Sequence, residues 1–586
     1  MNDGFIKVAA ATAQTAVADV SGNVRAIKEV IAEADRRQIN LLVLPEMCLT
    51  GYACGDLLYA DALIFAAYNA LDELCRFTAG RYPAVIVGLP IRHRCKLYNA
   101  AAVIVNGRLL GLVPKMYLPN YGEFYEERQF APAAELENGA TVDIGGDRVP
   151  FGSDLLFCHN RLDNYTFGVE ICEDAWAPKP PSTDLCLSGA TLIANLSAST
   201  ELIGKQRYRR TLLGAMSSRL LCGYVYACSG VSESSGDAVY AAHRIILENG
   251  IMLAENKPFG GSLMTVSDID VDRLAAERRR VTSFRYRPSG VRLIPFEQEV
   301  RRTELTRAAG KDPFLPPQDD LAAERADLVL KIQSHGLGRR IEQMGADNVV
   351  VDVNCGLDGA LSLVAAARAA DLARLDRSKI TAAIWSRDGL STDCHQMLCE
   401  CLGVRAETGR SAADIANETG GHIVASADLT DWACGCADAV GLPAYGVNCT
   451  VPKTLVRYIL RHVADSTAGK MQGALINLLD RFESDADNCR LNDFFLYYTL
   501  RFGFAPHKIF RLAQTAFKDE CSARLIFEQL EQFLRQFFSQ QYKRIGMPDG
   551  PKVCPVSLSP RSDRRMPCGA PDDEWLNDLN SVLPLK

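Results

Sequence analysis

No stretch of this sequence approaches the ~18 consecutive apolar residues that a membrane-spanning helix needs. Its opening, MNDGFIKVAAATAQ, has neither the basic start nor the long apolar block of a secretory leader. There is no excess of positive charge: the net charge of −7 leaves no electrostatic footprint for nucleic acid or an anionic membrane. Basic clusters such as ERRR at 277–280 and RSDRR at 561–565 are local and read as solvated faces. Paired C-x-x-C spacing is missing too. Cys394, His395, Cys399 and Cys401, with Cys434 and Cys436 further on, fall in helix-like apolar sequence, so packing rather than a metal site is expected. The 20 cysteines are scattered through apolar segments, as reduced thiols in a cytosol would be. Neither an internal repeat nor a low-complexity tract occurs. Together these absences lead to the expectation of a cytoplasmic protein with neither nucleic acid nor a membrane as partner.

What is present is the alternation of an α/β protein. At 586 residues the chain is too long for one core. Short aliphatic runs, LLVLPE at 41–46, AVIVGLP at 84–90 and TLIANLS at 191–197, read as buried strands, and 24–37 has apolar residues at helical spacing. Residues 1–275 form one expected domain. A proline-rich, charged and aperiodic stretch over 276–322 reads as an extended linker. A second α/β domain is expected over 323–586: a long helical pattern leads into the strand NVVVDV, aromatic-rich helices follow after about 490, and the tail from Pro548 reads as extended.

Three reactive groups stand just past buried strands, where open α/β sheets place their sites. Glu46 closes LLVLPE, Lys115 follows LLGLVP, and Cys172 closes FGVEIC. A thiol with its usual pKa near ~8.5 is mostly protonated at neutral pH. A carboxylate can take its proton, and an ammonium can hold the oxyanion formed when sulfur attacks a carbonyl or nitrile carbon. Glu, Lys and Cys therefore suffice for amide hydrolysis through a thioester.

LPEMCLTGY, VPKMYLPNYGEFYE and VEICEDAW together resemble the nitrilase, or carbon–nitrogen hydrolase, superfamily with its Glu–Lys–Cys set. GYACGDLL, LPNYGEFYEERQF and NLSAS narrow the likeness to the glutaminase domain of glutamine-dependent NAD synthetases, almost continuously over residues 1–275. The resemblance implies an α-β-β-α sandwich in which Cys172 is the nucleophile and Glu46 the general base and later acid. Lys115, with the backbone N–H after Cys172, would hold the oxyanion, and Glu126 would position the amide and Lys115. Tyr121, Ser199 and Lys205 match positions that contact glutamine; the last is often Arg, and Lys keeps the charge without bidentate binding.

The second half is similar to the same family in DPFLP, IQSHGL, AYGVNCTVPKTLVRY, DFFLYYTLRFGF and the FSQQYKR…MPDGPKV…VSLSPR tail. This implies a doubly wound, adenine-nucleotide α-hydrolase-like (Rossmann-like) domain that uses ATP and magnesium to adenylate nicotinic acid adenine dinucleotide, with ammonia from the first domain displacing AMP. The family also forms homo-oligomers. Its pyrophosphatase signature, Ser-Gly-Gly-x-Asp-Ser, stands here as Asn354, Cys355, Gly356, Leu357, Asp358 and Gly359. Both serines are replaced, and a Cys at the first glycine is expected to crowd a phosphate. The family's Thr-Gly-Asp-Leu-Ser-Glu reads SADLTD, so its terminal Glu is the shorter Asp431; the following Thr-x-x-Gly-Asp reads DAVGL, with Asp438 and Leu442 at the key positions. Segments before ANETGG and before NDFFLYY are shorter than the family's. Three readings stay open: full NAD synthesis, a glutaminase or amidase whose second half is a scaffold, and a non-catalytic regulatory paralogue.

Overall fold

The computed structural model describes residues 3–236, 238–287, 290–316, 321–386, 390–437, 444–483 and 486–582. Asp438 and Leu442 lie outside them, as do Ser484 and Asp485 beside one of the shortened segments. The chain divides into two compact units, Met1–Arg307 and Ala308–Lys586. Among the described residues no helix is long and apolar enough to cross a membrane.

The first unit is an α-β-β-α sandwich. One six-stranded sheet runs, edge to edge, Met264–Asp270, Phe5–Ala11, Leu41–Val43, Ala84–His93, Lys96–Val105 and Arg108–Pro114. A second, seven-stranded sheet runs Ile251–Glu255, Arg244–Glu248, Gly223–Cys228, Leu192–Ser197, Thr166–Ile171, Leu155–His159 and Arg292–Phe296. The inner strands are mostly apolar because both faces are covered, and their period of two sorts the side chains. Val8, Ala10, Val43 and Ile86 face the interlayer core with Phe157, Val169, Ile171 and Leu196 of the other sheet. Ala9, Ala11, Leu42, Val85 and Val87 face outward onto the helices Val20–Arg36 and Asp61–Thr78. Helices Pro181–Leu187 and Lys205–Arg219 cover the second sheet through Leu185, Cys186, Leu213 and Met216.

The stretch over 276–322 is not an extended linker throughout. Val271–Arg280 is a helix, and Arg292–Phe296 adds an edge strand parallel to Leu155–His159. Pro295 hides this strand from a reading of the sequence, but a proline that removes one ladder donor is tolerated at a sheet edge.

The second unit is built on a five-stranded, all-parallel sheet ordered Arg405–Thr408, Ile380–Trp385, Val349–Asn354, His422–Ala425 and Ala444–Gly446. The chain winds outward from Val349–Asn354 in one direction, then returns to continue in the other. The crevice between Val349–Asn354 and His422–Ala425 is thus the switch point at which such sheets bind ligands. Helix Ala322–Met344 packs on Leu357–Ala373, and a helical region from Lys453–Asp465 to Asp573–Asn580 follows.

Gly88 in strand Ala84–His93 lets the turn carrying Glu46 lie directly on the sheet. A Cβ there would meet the Met47 amide nitrogen at 2.2 Å and the Pro45 carbonyl oxygen at 2.7 Å, both backbone atoms with little room to move. Gly88→Ala is accordingly expected to destabilise the first unit by about 1–3 kcal/mol. The measurement is urea unfolding followed by circular dichroism; an unchanged midpoint would show that the two backbones separate freely.

Candidate active site and nucleotide cavity

Glu46, Lys115 and Cys172 come from the ends of three strands in two sheets and converge in the interior of the first unit. Glu46 and Lys115 have no exposed surface and Cys172 is 6 % exposed. Lys115 Nζ lies 2.7 Å from Glu46 Oε1 and 2.6 Å from Glu126 Oε1. Three further groups orient the carboxylates. Asn99 Nδ2 donates to Glu46 Oε1 at 2.6 Å, the Ala198 N–H donates to Glu46 Oε2 at 2.8 Å, and the Tyr52 hydroxyl donates to Glu126 Oε1 at 2.8 Å. The Ala198 N–H also faces the Cys172 thiol.

Cys172 opens a short 3₁₀ turn directly after strand Thr166–Ile171, and its φ of 45° is left-handed, a conformation that costs a non-glycine residue of order 1–2 kcal/mol. Asp174 holds it there. One oxygen of its buried carboxyl accepts the Ile171 N–H at 2.9 Å; the other accepts the N–H groups of Met116 and Tyr117 at 3.0 and 2.8 Å. A single side chain thus ties the turn carrying the thiol to the segment just after Lys115.

Burial dominates the electrostatics. It opposes the Lys115 charge, but Glu126 and Glu46 outweigh it and keep the ammonium protonated well above its ordinary range. Burial, and then the Glu46 carboxylate, push the Cys172 thiol well up, so the resting sulfur is a neutral thiol beside a base. Burial pushes Glu126 up to about 7, against the pull of Lys115. Glu126 Oε2 is buried and accepts no hydrogen bond. A small cavity of about 170 Å³ opens beside Glu126, Tyr52 and Phe124.

The three positions expected to contact substrate differ in exposure and in their partners. Tyr121 is exposed, and its hydroxyl donates to Glu173 Oε1 at 2.9 Å. Ser199 is buried; its N–H meets Cys228 Sγ at 3.2 Å. Lys205, at the start of helix Lys205–Arg219, donates to Thr200 Oγ1 at 3.0 Å, and that hydroxyl donates to Glu123 at 2.8 Å. Its ammonium also lies 5.7 Å from the Phe124 ring and 5.8 Å from the Trp176 ring. Tyr52, Asn99 and Asp174 carried no sequence signal: each acts through a hydrogen bond to a residue distant in the chain.

The second unit holds a larger cavity, about 890 Å³, at the switch point of its sheet, lined in part by Asn354, Gly356, Asp358, Asp431 and Lys453. All four residues expected at a nucleotide site are therefore brought together, but their polar groups are engaged with one another. Asn354 Nδ2 donates to Asp358 Oδ2 at 2.7 Å, and Asn354 Oδ1 accepts the Gly356 N–H at 3.2 Å. Lys453 Nζ bridges Asp428 Oδ2 at 2.8 Å and Asp431 Oδ1 at 2.7 Å. Asp428 and Asp431 also form a reciprocal cap on helix Leu429–Cys434. Burial pushes Asp358 up to about 6 although Lys453 draws it down. The Cys355 thiol is buried; the side chain that takes up the turn's own donor is that of Asn354. Among the described residues no group of three His, Cys, Asp or Glu side chains is placed to hold a metal ion. As arranged, Asp358 and Asp431 do not fit a magnesium ion, because each already has a donor or a cation on its carboxylate.

Residues 7–279 match the carbon–nitrogen hydrolase family. The chain is 33% identical to the glutamine-dependent NAD(+) synthetase of Mycobacterium tuberculosis, over 99% of this chain and 98% of the relative, and 32% identical to that of Mycobacterium leprae, over 100% and 99%. The first alignment extends over 672 positions, more than the 586 residues here, so at least 86 positions have no counterpart in this chain. A crystal structure of a glutamine-dependent NAD(+) synthetase from Cytophaga hutchinsonii aligns with 98% of the chain at 19% identity and a TM-score of 0.40. With a third of its residues identical to full-length relatives over nearly its whole length, the chain belongs to the family of glutamine-dependent NAD(+) synthetases.

Proposed function

We propose that this chain hydrolyses the side-chain amide of glutamine at Cys172. The ammonia released serves the family's overall reaction, in which glutamine, ATP and nicotinic acid adenine dinucleotide give NAD, glutamate, AMP and pyrophosphate. The observation that carries the reading is the closed set of charges, Lys115 between Glu46 and Glu126, buried beside a neutral thiol.

Glu46 accepts the thiol proton as sulfur attacks the carboxamide carbon, and the developing oxyanion receives an N–H from Lys115. The ammonium has three donors; two are committed to Glu46 and Glu126, which leaves the third for the substrate. The unpartnered Glu126 Oε2 accepts from the substrate amide and orients it. Glu46 then returns its proton to the departing ammonia, and water activated by the same carboxylate hydrolyses the thioester to glutamate. Lys205, with Tyr121 and Ser199, receives the amino-acid end. In the second unit the larger cavity is the proposed seat of the dinucleotide.

The state of the Asn354 turn favours a second reading, in which glutamine hydrolysis proceeds while the second unit contributes only structure. Product analysis separates the two. AMP formed only when all substrates are present supports coupled synthesis, whereas glutamate released without nucleotide supports the second reading. Absence of both would leave a non-catalytic subunit.

Cys172→Ala is expected to lower glutamate release at least ~10³-fold without changing the melting temperature, because it removes the only nucleophile in the mechanism. Retained activity would place the chemistry elsewhere. The rate should also fall as pH drops through about 7, rather than through the ordinary carboxylate value of 4.5, because protonation of Glu126 removes a charge that holds Lys115. Glu126→Gln should abolish that limb of the pH–rate profile, at a lower rate; a limb that persists in the variant would assign it to another group. The same shift makes the folded chain bind this proton more tightly than the unfolded chain. Its contribution to stability is therefore complete below 4.5 and is lost as pH rises through about 7.

A further inference from the structure

The turn between strand Val349–Asn354 and helix Leu357–Ala373 has the topology of a phosphate cradle, since backbone N–H groups at a helix start point outward together. Such a cradle works only if its donors are free and a nearby carboxylate can share a cation with the phosphate. Here one carboxamide addresses both needs at once. Asn354 Oδ1 sits on the Gly356 N–H at 3.2 Å, where a phosphate oxygen would sit, and Asn354 Nδ2 sits on Asp358 Oδ2 at 2.7 Å, where a cation would sit.

We propose that Asn354 latches the turn with its own side chain, so that it accepts a magnesium–nucleoside triphosphate only after that side chain has swung out.

The surroundings hold the latch shut. His395, buried on helix Asp393–Leu402, places Nε2 3.0 Å from the Gly356 carbonyl oxygen and pins the turn from the far side. The two glycines are closed in as well. A Cβ on Gly356 would meet Asp358 Oδ1 at 2.5 Å, and one on Gly359 would meet the Asn354 carbonyl oxygen at 2.5 Å. No side chain at 359 could therefore add a donor without moving the strand end. Across the cavity Lys453 is held by Asp428 and Asp431. A serine at 354 has a single oxygen on a shorter stem, whereas asparagine sets two separate atoms on Gly356 and Asp358. The latch thus depends on asparagine.

The test is calorimetric titration of the full-length chain with magnesium–ATP, for the wild type, Asn354→Ser and Asn354→Ala, each shown to be folded by its melting curve. The readout is heat of binding, so it does not depend on glutamate release at Cys172. Both variants are expected to bind at least ~10-fold more tightly than the wild type, a difference of ~1.4 kcal/mol. Chelating the magnesium should erase the gain. Folded variants that bind magnesium–ATP no more tightly than the wild type, or that do not bind it at all, overturn the proposal. Should Asn354→Ser fail to fold, Asn354→Ala alone decides, since it removes both hydrogen bonds and adds no group.

Discussion

Lys115 is a charge with no access to water, and the catalytic half of this protein is organised around keeping it there. Moving an ion out of water costs several kcal/mol even after relaxation, and only close, well-oriented counter-charges offset the cost. Two carboxylates at 2.6 and 2.7 Å supply them, and each is held by a further donor, Tyr52 on Glu126 and Asn99 with the Ala198 N–H on Glu46. One cation facing two anions leaves a surplus of negative charge. The Cys172 thiol is held protonated in part by that surplus, and Glu126, under the same burial, is drawn toward neutrality. The site is poised but quiet at rest, with one lysine N–H and one carboxylate oxygen still to be used.

The second unit applies the same physics to the opposite effect. Lys453, its side chain 31% exposed, also lies between two carboxylates, and burial raises the neighbouring acid, Asp358. Here the pairings close on themselves. Asp428 and Asp431 cap one another's helix turn, and Asn354 spans the donor and the carboxylate of the turn. A ligand at this position must displace bonds already made. The difference between the units therefore lies less in which residue types are present than in whether their polar atoms are left free.

The groups proposed to react are legible in the amino-acid order. Glu46, Lys115 and Cys172 each end an apolar run, and the segments around them are distinctive enough to identify the family. Residues that only support the site are not legible in the same way. Asn99 reaches Glu46 across 53 residues and Ala198 across 152, and a hydrogen bond at such separation leaves no local pattern. Asp174 lies only two residues from Cys172, yet nothing in CEDAW tells that it fastens that turn to Met116 and Tyr117. Strand Arg292–Phe296 is hidden for a related reason: its pairing partner, Leu155–His159, is more than a hundred residues away, and a proline breaks its pattern.

Short apolar runs such as Phe5–Ala11 and Val349–Asn354, buried on both faces, together with the helical spacing between such runs, determined the layered architecture of both units from the sequence alone, because the length and apolarity of a run are local properties. Sequence also supplied the three groups proposed to react, Glu46, Lys115 and Cys172. Only the tertiary structure decided their state: that Lys115 is shared, that Cys172 is held in a left-handed turn, and that Asn354 turns inward onto Gly356 and Asp358. Each of these depends on how closely chain segments from different elements approach, and the spacing of buried polar atoms, rather than their chemical type, decides whether a charge is compensated or a donor is free.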